Sequence, residues 1–167
     1  MGSKHDWKGL MVDQAYDLVI LGAGSAGLTA AGFSAQLGQR VALVEKRRVG
    51  GDCTWSGCVP SKTLLKAAKI AHEMRTAHRF GLSASEPVVD LKSVMGHVRS
   101  VIDEVYRHES PDKLKADGID VLLGQARFLD RNTVAVGDNE ATLKARRFIV
   151  ATGARPTVPP IPGLDNT

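Results

Sequence analysis

The clearest hydrophobic pattern opens at Tyr16, where a mostly apolar run to Leu21, of the kind carried by a buried parallel strand, leads directly into Gly22. LTAAGFSAQLG follows, rich in small and apolar residues with helical character, and Gly38 is its stop. Arg40 to Val44 then reads as a second strand ending in Glu45. Ser61 to His78 predicts a helix, with Leu64, Leu65, Ala68 and Ala71 at helical spacing, before a break around Phe80 to Pro87. Leu91, Val94, Met95, Val98, Val101, Ile102 and Val105 form an amphipathic stripe over a second long helix, capped by Asp90 and assigned to core packing. From Ile119 the pattern shortens to strand-like pieces: Ile119 to Leu123, Ala126 to Leu129, Thr133 to Val136, Ala141 to Lys144 and Phe148 to Ala151. Asn132 and the Gly137, Asp138, Asn139 cluster are turn signals between them, which suggests a small β-meander returning into a last core strand. The expected class is α/β, a Rossmann-like fold with a parallel sheet plus the meander.

Composition sets the organisation. At 167 residues and 43% hydrophobic the chain can bury a core, and it is most simply one domain. We expect an N-terminal extension over 1–15 and a nucleotide-binding domain over 16–155. A linker over 156–167 follows from Pro156, Pro159, Pro160 and Pro162, which exclude a helix there. The polar, mixed-charge start lacks the apolar core of a signal peptide, and no later segment approaches transmembrane length, so a cytoplasmic, non-membrane protein is expected. The net charge of +4 and the Lys46, Arg47, Arg48 run are read as solvated surface. With two tyrosines, two tryptophans and four phenylalanines, none interleaved with basic residues, nucleic acid is not an expected partner. His72, His78, His97 and His108 fall on or beside the helices and receive no chemistry.

GAGSAG, Gly22 to Gly27, supplies the first chemistry. Gly22 permits a tight turn, Gly24 lets the backbone approach a pyrophosphate, and Gly27 allows the helix to pack on the strand. The helix N-terminus, with Ser25 and Ala26, offers amides and a positive dipole end to phosphates. Glu45 can accept hydrogen bonds from both hydroxyls of an adenosine ribose and would repel a 2′-phosphate, so FAD or NAD is expected rather than NADP. A strand before the glycines, a helix after them and an acid closing the next strand make the pattern specific.

The second chemistry lies in GGDCTWSGCVPSK, Gly50 to Lys62, which contains the chain's only two cysteines. Val59 and Pro60 place Cys58 near a helix N-terminus, which favours thiolate over thiol, and Lys62 returns to the same face one turn on. So short a loop between Cys53 and Cys58 restrains little of the unfolded chain, which favours a redox pair over a structural bond. A structural disulfide, half a zinc site and two inert thiols are the alternatives. The histidines do not follow at a recognisable ligand spacing, so no metal site is assigned. A dinucleotide fold beside a cysteine pair points to a flavin, because NAD alone does not readily pass a hydride to a disulfide.

These residues resemble the FAD-binding pyridine nucleotide-disulfide oxidoreductases, the class of dihydrolipoamide dehydrogenase, glutathione reductase and mercuric reductase. GAGSAG, Glu45 with Lys46, GGDCTWSGCVPSK and ATGARP followed by IPG stand in the family's order over nearly the whole chain after about Tyr16. The resemblance implies that Cys58 is the thiol against the flavin and Cys53 the interchange thiol that attacks substrate. It implies that Lys62 lies near the flavin N5, that Ala126 gives a backbone contact to the adenine, and that Ala151, Thr152 and Gly153 form a turn against the cofactor. Gly51 and Asp52 stand where the family commonly has glycine and threonine beside the pyrophosphate; a carboxylate there is repulsive unless turned away or paired. Trp55 is bulky enough to reshape the pocket. Electrons would run from NAD(P)H through FAD to Cys53 and Cys58 and on to a small-molecule disulfide or metal-ion substrate, in a homodimer. With one dinucleotide fingerprint and a linker at its end, the chain is expected to be the front part of a longer enzyme and inactive alone. Mercury chemistry in that group also needs a C-terminal cysteine pair.

Overall fold

The computed structural model describes residues 15–138 and 141–164, so the expected extension over 1–15 lies outside them but for its last residue, as does the turn signal at Asn139. Strand β1 (Tyr16–Leu21), helix α1 (Ser25–Gln36) and strand β2 (Val41–Glu45) come first. Helices α2 (Gly51–Trp55) and α3 (Cys58–Thr76), a single 3-10 turn (Ala77–Phe80), and helices α4 (Leu91–Glu109) and α5 (Pro111–Ala116) follow. Strands β3 (Ile119–Leu123), β4 (Ala126–Asp130), β5 (Thr133–Val136) and β6 (Ala141–Val150) complete the described chain.

The six strands take the order β3-β2-β1-β6-β5-β4. β1 lies parallel to β2 and β6, and β2 parallel to β3, while β4, β5 and the start of β6 form the antiparallel meander. Two separate pieces were expected where the structure has β6, a continuous strand. Its Ala141 to Lys144 pair antiparallel with β5, and Ala145 to Val150 pair parallel with β1. The polar interruption Lys144, Arg146, Arg147 misleads a pattern reading because those side chains are exposed while Ala145 between them is buried. Asn132 brackets the point of exchange: its carbonyl accepts from the Ala145 N–H at 2.9 Å and its side-chain amide donates to the Ala145 carbonyl at 3.1 Å.

Alternation along the strands divides the core between two faces. Val19 and Leu21 pack with Val44, Leu122 and the meander residues Val134, Val136 and Leu143. Leu18 and Ile20 pack with Val41, Leu43 and Ile119 beneath Ala31 of α1 and Leu114 of α5. The layers are helices, parallel sheet and meander, the α/β Rossmann-like class expected. Gly38, with φ +77° and its N–H bonded to Ala35 O, ends α1.

α3 and α4 pack on one another away from the sheet. The α4 stripe was assigned to the core, yet only Val98 is buried, and Leu91 is 63% exposed. α3 has no buried residue. Among the described residues no helix is long and apolar enough to cross a membrane.

Candidate functional site

The parallel strands all end on one side of the sheet. The chain builds outward through β1, β2 and β3, then returns to the other side of β1 with β6, so the strand order reverses between β1 and β6. Such a reversal leaves a crevice at the carboxyl ends of the strands, where open α/β sheets bind ligands. A cavity of about 1140 Å³ occupies that place. Its walls come from the β1 to α1 turn, the end of β2, the start of α2, the β3 to β4 turn and the segment after β6.

Close backbone contacts shape the crevice. Gly22 has φ +104°, and a Cβ on it would stand 2.2 Å from the Ala151 carbonyl oxygen. Gly27 sits against the Gly22 carbonyl, where a Cβ would approach to 1.8 Å. A Cβ on Gly51, which has φ +60°, would lie 2.7 Å from Gly24 Cα, and the Gly50 N–H donates to Ala23 O at 2.8 Å. The glycine turn and the cysteine segment are therefore docked backbone to backbone. At α1 the N-cap is Gly24, with no side-chain cap and no acid in the first turn, which leaves its first amides open to an anion.

Glu45 is held from two sides: Oε2 accepts from the Ala23 N–H at 2.8 Å and Oε1 from the Arg47 N–H at 2.7 Å. Each carboxylate oxygen retains a lone pair for a hydroxyl donor. Asp52 is exposed and lines the same cavity as Lys46, Arg47, Arg48 and Arg155, so four cations share the cavity wall with it. Trp55 is clamped: its Nε1 donates to Val49 O at 2.7 Å, the Arg48 guanidinium lies 3.9 Å from its ring centroid, and the Tyr106 ring centroid is 4.9 Å away. Next to it the buried Thr54 hydroxyl donates to Glu109 Oε2 at 2.7 Å, tying α2 to α4.

Both cysteines are free thiols, Cys53 half-buried in α2 and Cys58 exposed at the first residue of α3. Side-chain hydrogen bonding with Cys58, and then with Ser25, holds Cys53 below the ordinary thiol range. The same shared hydrogen bond pushes Cys58 up. Sequence reasoning expected the α3 N-terminus to favour thiolate at Cys58. In the structure its leading amide, the Cys58 N–H, also serves Cys53, and the positive charge of Lys62 favours thiolate at both sulfurs.

Of the residues expected at the site, Gly22, Gly24, Glu45, Lys46, Gly51, Asp52, Ala126, Ala151, Thr152 and Gly153 line the cavity. Ser25, Ala26, Gly27, Cys53, Cys58 and Lys62 do not line it; the cysteines and Lys62 cluster beside it where α2 meets α3. Arg47, Arg48, Gly124, Gln125 and Arg155 line it without having been assigned, and Trp55, expected to reshape the pocket, lines it too. The basic run after Glu45, read as solvated surface, was the available signal for two of them. His72, His78, His97 and His108 are exposed, and among the described residues no group of three or more metal-ligating side chains is assembled.

A family model described as pyridine nucleotide-disulphide oxidoreductase matches residues 16–167. The chain is 38% identical over 156 residues to a mercuric reductase of Lysinibacillus sphaericus, an alignment covering 93% of this chain and 28% of the relative. It is 38% identical over 154 residues to a dihydrolipoyl dehydrogenase of Acholeplasma laidlawii, covering 92% and 45%. Among solved structures it is similar to the HOCl-induced flavoprotein disulfide reductase RclA from Escherichia coli, determined as a Cu(II) complex. The TM-score is 0.68 at 30% identity, with 90% of this chain and 31% of that one covered. The chain spans less than half the length of these relatives.

Proposed function

Because the chain belongs to the pyridine nucleotide-disulphide oxidoreductase family, we propose that it is the FAD-binding and redox-disulfide part of a flavoprotein oxidoreductase. The observation that carries this reading is the backbone docking of a phosphate-type glycine turn onto the cysteine segment, at the strand-order reversal. The cavity suits the adenosine diphosphate half of FAD. The uncapped amides at Ser25, Ala26 and Gly27 would receive the diphosphate, Glu45 the ribose hydroxyls, and Ala126 the adenine. Lys46, Arg47, Arg48 and Arg155 offset Asp52 beside the phosphates. Bound FAD would supply the two-electron relay between NAD(P)H and the sulfur pair.

The chain's own part is then to hold Cys53 as attacking thiol and Cys58 as the sulfur that closes on it, with Lys62 stabilising negative charge at both. Residues 16–155 form the FAD-binding unit in this proposal and 156–167 the passage toward an NAD(P) domain. A small-molecule disulfide or a metal ion is the substrate, the assembly is a homodimer, and the setting is cytoplasmic, where thiols are kept reduced. FAD titration followed by anaerobic dithionite reduction tests the reading. The expected result is stoichiometric flavin and, after two electrons, a long-wavelength thiolate-to-flavin band that Cys58→Ser abolishes. Retained flavin without such a band would make the chain an FAD-binding module with inert cysteines, and a preparation that stays colourless with FAD would overturn both.

A further inference from the structure

The four cations on the cavity wall are not equivalent. Lys46, Arg47 and Arg155 are exposed, and among the described residues no hydrogen bond, ion pair or ring contact restrains their side chains. Arg48 is held: its guanidinium carbon lies 3.9 Å from the Trp55 ring centroid. Trp55 is fixed in turn by the 2.7 Å bond from its Nε1 to Val49 O and by the tilted Tyr106 ring at 4.9 Å. With its N–H engaged and its ring between Arg48 and Tyr106, the indole has little of its own to offer a ligand. What it presents to the cavity is the cation above it.

The stack is also anchored to the nucleotide turn. A Cβ on Gly50 would stand 3.0 Å from Trp55 Nε1, so the indole packs against the same residue whose N–H bonds to Ala23 O. The next residue, Gly51, approaches Gly24, the N-cap of α1. Asp52 follows, three residues before Trp55 on α2 and therefore on its face. An anion seated at the α1 amides thus meets a carboxylate with one cation already in place.

A ring contact is well suited to this task. A carboxylate partner would neutralise the guanidinium and occupy its N–H donors, whereas an aromatic face restrains it and leaves both charge and donors available. Arg48 has lost in advance the rotamer freedom that Lys46, Arg47 and Arg155 would give up on binding. We propose that Trp55 is a positioning residue that holds Arg48 as the fixed cation for the diphosphate, and that this cation, more than the other three, offsets Asp52 when the cofactor binds. The proposal rests on the FAD reading above and names the residue pair behind it.

Isothermal titration calorimetry of the full chain with FAD, ADP and adenosine tests it. Arg48→Gln should weaken ADP about tenfold, the worth of a hydrogen bond to a charged group, and leave adenosine unchanged. Arg47→Gln and Arg155→Gln should each weaken ADP by no more than about threefold. Trp55→Phe keeps a ring beneath the guanidinium and should stay within about twofold of the wild type, whereas Trp55→Leu should weaken ADP about threefold. In an Arg48→Gln background Trp55→Leu should cost nothing further, because Trp55 acts through Arg48. Trp55→Met repeats that coupling should the leucine variant not fold, and the exposed Arg48 side chain leaves the arginine variants folded. Equal losses from the three arginines, an equal loss of adenosine, or a Trp55 effect undiminished without Arg48 overturns the proposal. A wild type that binds FAD and ADP, with Arg48→Gln unchanged, sinks only the role of Arg48. A wild type that takes up neither FAD nor ADP sinks the flavin reading, and this role with it.

Discussion

At Gly27 a hydrogen atom stands where any side chain would collide with the Gly22 carbonyl, and both parties to that contact are backbone. Gly27→Ala should therefore cost about 1 to 3 kcal/mol, read as a lower urea midpoint, and should displace the turn. Gly32, in the same helix, has nothing within 4 Å of an added Cβ, and Gly32→Ala should stabilise by about 0.5 to 1 kcal/mol. Opposite signs from two substitutions in one helix separate close approach from simple helix propensity. Tyr16 supplies a pH signature. Burial, and then the hydrogen bond its hydroxyl donates to Asp120 at 2.8 Å, push its pKa from 10.0 up to about 12. The folded state thus favours the protonated phenol. Its contribution is complete below pH 10 and is lost as pH rises toward 12, by about 2 to 3 kcal/mol. Denaturation curves across that window should flatten in Tyr16→Phe.

The short helix α2 shows how tertiary contacts overrule local preference. GDCTW holds a glycine, an aspartate, a cysteine and a threonine, all weak helix formers, and nothing in its pattern announces a helix. It forms because Thr54 is tied to Glu109 and Trp55 is held by Val49, Arg48 and Tyr106. Trp55→Ala should cost about 2 kcal/mol, below a fully buried aromatic because the ring is only half-buried, and should loosen the cysteine segment toward iodoacetamide. β1, β2 and the Asp90 cap of α4 were legible because each is specified by adjacent residues; the Asp90 side chain does accept from the Lys92 N–H. α5 was legible in principle from Ser110 and Pro111, a capping serine followed by proline, but its few residues show no period to read. The continuity of β6 was not legible, since it depends on which distant segments dock alongside.

For the whole molecule, the cavity and the sulfur pair are adjacent and separate. The residues suited to the adenosine diphosphate half line the cavity, while Cys53, Cys58 and Lys62 lie beside it. ADP alone should therefore protect the chain against heat, and FAD at a hundredfold excess over its Kd should add about 2.7 kcal/mol of stability. Differential scanning fluorimetry with each ligand measures both. A shift with FAD that Cys53→Ser and Cys58→Ser leave intact would show that cofactor retention does not depend on the sulfurs.

The exchange of partners within β6 also sets an order of events during synthesis. Gly22 leaves the ribosome long before Ala151, yet the carbonyl that walls its turn is that of Ala151, the residue after β6, and β1 lacks its second neighbour until β6 pairs with it. Contacts so remote in sequence form slowly. A nascent chain halted before Ala141 would present the apolar β1 edge, Leu18 to Leu21, unpaired, a template for aggregation. The crevice is thus walled only when β6 has passed from the meander into the parallel sheet.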